Sequence, residues 1–60
     1  MTARAELSSV STLLQELVAR LSTIADAMTP VEREALGAEL AEVERSLTAA
    51  QRRLARALSS

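Results

Sequence analysis

The side chains able to carry charge or move a proton are of few kinds: seven Arg, seven Glu and Asp26, with no Lys, His, Cys or Tyr. A carboxylate pair doing acid–base work is the one catalytic chemistry such a set approaches, and Glu39, Glu42 and Glu44 are its nearest candidates. Carboxylates at that spacing on a polar helix face are ordinarily solvated. The rest of the chain supplies no His or Cys to activate a Ser or Thr hydroxyl or to hold zinc. Gly37 stands alone, so no glycine-rich loop cradles a phosphate. No enzyme activity, cofactor or metal site is expected.

The arginines carry more information through their placement. Residues 30–44 hold Glu32, Glu34, Glu39, Glu42 and Glu44 against Arg33, whereas residues 45–60 hold Arg45, Arg52, Arg53 and Arg56 and no acid. On one helix this layout complements the macrodipole, with acids toward the N-terminus and bases toward the C-terminus. It also fits self-recognition. Two copies of such a helix, packed antiparallel with their crossing at Ser46, would bring Glu39 of each beside Arg53 of the other. A third reading takes Arg45, Arg52, Arg53 and Arg56 as a phosphate-binding cluster, since guanidinium forks suit phosphate. The net charge of −1 and the acidic half of the same helix oppose that reading. There is also no Trp, Tyr or Phe on which a base would stack.

The elements that must position these groups are read from apolar spacing. Leu7, Val10, Leu14, Leu17, Leu21, Ile24 and Met28 follow one another at intervals of 3 and 4 without a miss. Leu7, Leu14, Leu21 and Met28 take heptad position a, and Val10, Leu17 and Ile24 take d. Leu13, Val18 and Ala25 widen this seam to a face suited to a bundle interior. In the second half Leu36, Leu40, Val43, Leu47, Ala50, Leu54 and Ala57 repeat the pattern, and Leu58 adds to the last turn. Its flanks are mostly polar, Glu39, Ser46 and Arg53 on one side and Gly37, Glu44 and Gln51 on the other. The second helix is therefore expected to be less enclosed than the first.

The two seams are out of phase, so one continuous helix would place Glu42, Arg45, Arg52 and Arg56 in its core. Between them Thr29-Pro30-Val31-Glu32 reads as a helix start. Thr29 caps, Pro30 fits the first helical position, and Glu32 completes a capping box. Proline also drives the preceding residue out of helical geometry. The expectation is helix 1 over about residues 3–27 and helix 2 over about 30–58, joined by a tight turn at Met28–Pro30. Thr12-x-x-Gln15 is a second capping box that would start helix 1 near Leu13. Because Leu7 and Val10 keep the heptad phase, the longer helix is favoured.

The fold class is all-α: a single domain over residues 1–60, an antiparallel helical hairpin expected to self-associate into a four-helix bundle. Ala, Leu, Glu and Arg, all strong helix formers, make up 36 of the 60 residues. Two helices alone cannot wrap sixteen large aliphatic side chains (Met1 excluded), so self-association or docking onto a partner is expected. The longest apolar run, Leu17-Val18-Ala19, is far short of the ~20 residues that span a bilayer. A membrane partner is not expected, and a cytoplasmic location is the default. In architecture the pattern resembles the Rop family of plasmid regulators, helical hairpins that dimerise into antiparallel four-helix bundles and bind RNA. That resemblance implies a bundle. It does not carry RNA reading with it, because helix 1 here offers only Arg4 and Arg20 and no aromatic residue. A cyclic-dinucleotide motif, E-x3-S-x2-R-x3-Q-x3-D, is met only at Glu42 and Ser46. The expected function is a non-catalytic module that pairs with itself, a homodimer first of all, and binds a protein partner in a regulatory or adaptor role. The alternatives are a Rop-like nucleic-acid binder using the helix 2 arginines, and a small subunit whose seam another chain completes.

Overall fold

The computed structural model describes residues 2–59, which form two helices, α1 (Ala3–Ala27) and α2 (Pro30–Ser59), packed against each other as a hairpin 45 × 16 × 12 Å between Cα extremes. There is no strand among the described residues.

Each boundary has a local cause. Thr2 is extended (φ −90°, ψ 156°), and its hydroxyl accepts from the Ala5 N–H at 3.2 Å, so α1 starts at Ala3 and runs through the serine-rich stretch. Hydroxyls in that stretch and beyond fold back onto their own helix. Ser9 donates to the Ala5 carbonyl, Thr12 to that of Ser8 and Thr23 to that of Ala19. At the turn, Met28 is extended (φ −66°, ψ 139°), while its N–H donates to the Ala25 carbonyl at 3.3 Å. The capping box then opens α2. The Glu32 N–H donates to the Thr29 hydroxyl at 3.1 Å, and the Thr29 N–H donates to the Glu32 carboxylate at 2.9 Å.

Two arginines close the hairpin at its ends. Arg33, in the first turn of α2, donates to the Ala25 carbonyl at 3.1 Å and so covers the C-terminus of α1. Arg4, in the first turn of α1, donates to the Leu58 carbonyl near the end of α2. An antiparallel pair sets the first turn of one helix beside the last turn of the other. Each guanidinium thus meets a carbonyl in the last turn of a helix, where no i+4 N–H reaches it, at the end of the helix dipole where positive charge is favoured.

The packing divides the seams. From α1 the half-buried residues are Ser11, Leu14, Val18, Leu21 and Ala25, joined by Met28 at its C-cap. From α2 the principal ones are Gly37, Leu40, Glu44, Leu47, Gln51, Leu54 and Leu58. Apart from the exposed Leu7, each helix thus faces the other with its a positions and most of the e positions beside them, and its d positions lie off to one side. The polar flank Gly37, Glu44 and Gln51 is turned inward, so α2 is no less enclosed than α1, contrary to expectation. The e positions are mostly small or flexible, Ser11 and Ala25 on α1 and Gly37, Glu44 and Gln51 on α2. One consequence is a carboxylate oxygen of Glu44 shielded from solvent without a hydrogen-bond partner. No described residue is fully buried.

Candidate functional site

In an antiparallel hairpin packed through a and e, the d positions of both helices fall on the same broad face. That face carries Val10, Leu17 and Ile24 from α1 and Leu36, Val43, Ala50 and Ala57 from α2, with Leu13 at its α1 margin and Leu7, an a position, exposed near its open end. The large residues among them, Leu7 and Leu13 included, are between 41% and 58% exposed. Near the turn they line an open apolar groove, bounded by Ile24, Met28, Leu36, Leu40 and Val43, with Glu32 and Glu39 at its edge. Together these side chains make an exposed aliphatic patch, of the kind that marks interaction surfaces in soluble proteins. Of the seam residues expected to form one core, Leu14, Leu21, Met28, Leu40, Leu47 and Leu54 meet within the hairpin. Leu7, Val10, Leu17, Ile24, Leu36 and Val43 do not.

One step further round each helix lie the margins of this face. On α1 the margin is Glu6, Leu13 and Arg20, and on α2 it is Glu39, Ser46 and Arg53. The four charged residues are exposed and take no part in an ion pair among the described residues. Glu39 and Arg53 stand two helical turns either side of Ser46 on one helix and do not meet within the chain.

The outer face of α2 carries the remaining candidates. Arg45 pairs with Glu42 one turn back, and both stay well exposed. Arg52, Arg53 and Arg56 line one shallow depression floored by Ala49 and Ala55. Arg45 and Arg52 share an adjoining depression with Ala41, Glu44 and Thr48. The four arginines named from the sequence therefore form one continuous strip over a floor of alanines. Glu42 lies beside that strip as a counter-charge to Arg45. Among the described residues no three His, Cys, Asp or Glu side chains are grouped to hold a metal ion.

Comparison with protein-family models, with curated proteins and with solved structures finds no match. Function therefore rests on the faces themselves. Among the described residues, no helix is long and apolar enough to cross a membrane.

One titrating group is tuned by the fold. The Glu32 carboxylate is held below its ordinary pKa, first by the Thr29 backbone N–H and then by the Thr29 hydroxyl. This is the electrostatic signature of the capping box and serves the turn. Arg4 and Arg33 were not recognised as helix-end contacts from the sequence alone. A signal for them was present, because a base in the first turn of one arm of a hairpin lies beside the last carbonyls of the other.

Proposed function

We propose that this chain is a non-catalytic interaction module that pairs with itself through its exposed apolar face and presents the α2 arginine strip to a protein partner. The observation that carries this reading is the division of the seams. Six of the twelve large aliphatic side chains in the two heptad seams are left open by the hairpin, five of them in the d rows that share one face. Covering them with a like face would give a four-helix bundle, the arrangement in which both the a and d positions of every helix are enclosed. Arg is enriched in protein interfaces, and a strip mixing Arg45, Arg52, Arg53 and Arg56 with Glu42 gives orientation more than raw attraction.

The deciding experiment is absolute mass in solution by light scattering over a dilution series at near-physiological salt. A folded species of twice the 6.4 kDa chain mass, held on dilution, supports the module. An expanded monomer overturns it and leaves the third reading, a subunit completed by a different chain. Leu17→Glu, which would bury a charge in the proposed interface, is expected to convert the dimer into a monomer in the same measurement.

A nucleic-acid reading draws on the grouping of Arg52, Arg53 and Arg56 around one depression. It predicts binding to an RNA hairpin with affinity that falls steeply with salt. A hydrophobic protein interface would change little over the same range.

A further inference from the structure

We propose that two copies of the hairpin meet through the face carrying Val10, Leu17, Ile24, Leu36 and Val43, about a twofold axis that sets their turns at opposite ends. This rests on the self-association proposed above and fixes its geometry.

The size of the face suits a second copy. The 45 × 16 Å extents give a footprint of roughly 700 Å², close to the ~800 Å² that each partner contributes to a standard stable interface. The charges along its margins are self-complementary. Within the hairpin Arg4 reaches Leu58 and Arg33 reaches Ala25, and this register sets Leu13 level with Ser46. Glu6 and Arg20 each lie seven residues from Leu13, and Glu39 and Arg53 each lie seven residues from Ser46. An axis through that level, perpendicular to the helices, lays α1 on the second copy's α1 and α2 on its α2. Glu6 then faces the second copy's Arg20, and Glu39 faces its Arg53. Symmetry repeats both pairs, so one axis satisfies all four margin charges, none of which has an ion-pair partner among the described residues.

Charge alone does not choose between two ways of stacking the hairpins. With the turns together, α1 would lie on the second copy's α2, and Glu6 with Arg53 and Arg20 with Glu39 would also be opposite in sign. Side-chain volume decides. Along α2 the d positions run from large to small, Leu36 and Val43 toward the turn and Ala50 and Ala57 toward the open end. On α1 Ile24 is near the turn and Ala3 at the open end. With turns together, Ile24 and Leu36 of both copies would crowd one end while Ala3 and Ala57 faced one another at the other, splaying the helices. With turns opposite, Leu36 packs on Ala57, Val43 on Ala50, Ile24 on Ala3 and Val10 on Leu17. Each layer then holds a similar volume, and the axes keep one spacing along the bundle.

The chain has no cysteine, so a single introduced thiol reports the arrangement. Ser46 sits at the margin of the face and close to the axis, where a thiol does not enter the core. Treated with a short bis-maleimide, full-length Ser46→Cys is expected to give a covalent dimer at least tenfold faster than Ala38→Cys on the outer face. Leu13→Cys should likewise link to itself, and a mixture of the two variants should give no crossed product beyond the Ala38→Cys rate. The opposite pattern, with the crossed Leu13–Ser46 product fast and Ser46→Cys alone slow, would place the turns together. That result, with a dimeric mass in light scattering, overturns this geometry and leaves self-association standing. A monomeric mass overturns both, and equal rates at Ser46 and Ala38 overturn the choice of face.

Discussion

At the scale of single residues, the hairpin is defined by what happens at Thr29. Its N–H and its hydroxyl are both engaged with Glu32, at 2.9 and 3.1 Å, and the helix after it begins on Pro30. Thr29→Ala removes the hydroxyl acceptor and is expected to destabilise the fold by about 1 kcal/mol, read as a fall in urea midpoint at unchanged slope. The Glu32 carboxylate makes the same device sensitive to acid. Its pKa is lowered in the folded chain by the Thr29 N–H and hydroxyl. The unfolded state therefore takes up a proton first as pH falls. The contribution is whole above the ordinary glutamate range, near about pH 4.3, and is lost as pH drops through the lowered value. Glu32→Gln keeps an acceptor without the titration. Its melting temperature should therefore fall less than that of the parent chain between neutral pH and the foot of that range. Equal acid sensitivity in the two proteins would show that the Thr29 contacts do not favour the ionised carboxylate.

At the scale of the helices, the spacing of Leu7 through Met28 and of Leu36 through Leu54, with the Thr29-Pro30-Val31-Glu32 signal between them, was enough to locate both elements and the turn. What heptad spacing cannot fix is how far each helix is rotated about its own axis. A seam of a and d positions is symmetric in that respect, since either flank can turn toward a neighbour. Hydropathy gives no reason to turn either flank of α2 inward, because Gly37, Glu44 and Gln51 on one side and Glu39, Ser46 and Arg53 on the other are both poorer in apolar surface than the d row. The Gly37, Glu44 and Gln51 flank is small or flexible, so it can turn toward α1 and leave the bulkier row free. The candidate face was therefore legible as a list of residues and not as a surface. Gly37 also marks a residual weakness in α2, since glycine inside a helix costs about 0.5–1 kcal/mol relative to alanine. A Cβ there would touch only the Arg33 Cγ, at 3.4 Å, an ordinary van der Waals contact with a flexible side chain. Gly37→Ala is expected to stabilise the chain by about that amount without changing its solution mass. A loss of stability would mean that the α1 backbone closes on this position more tightly than the hairpin shows.

At the scale of the whole molecule, the proposed dimer assigns folding and assembly to different rows. The a and e positions join α1 to α2, and the d positions with the charges beyond them lie outside that contact, so a change at the margin should alter the proposed association and leave the hairpin intact. Arg53→Glu is the sharpest case. In the proposed dimer the substituted carboxylate of each copy stands against Glu39 of the other, turning two attractions into two repulsions. Exposed pairs are each worth at most about 1 kcal/mol, so the dimer should weaken by roughly tenfold, a change of about 1.4 kcal/mol. Adding Glu39→Arg restores opposite signs only when α2 lies antiparallel on its own copy, and the double variant should recover the parent affinity. With the turns together, Arg53 would instead face Glu6 and Glu39 would face Arg20. The second substitution would then create a new repulsion and weaken the dimer further. Sedimentation equilibrium of the parent, the single and the double variant at low and high salt distinguishes the cases. Recovery that fades as salt screens the charges identifies the twofold arrangement with opposed turns, and additive weakening excludes it.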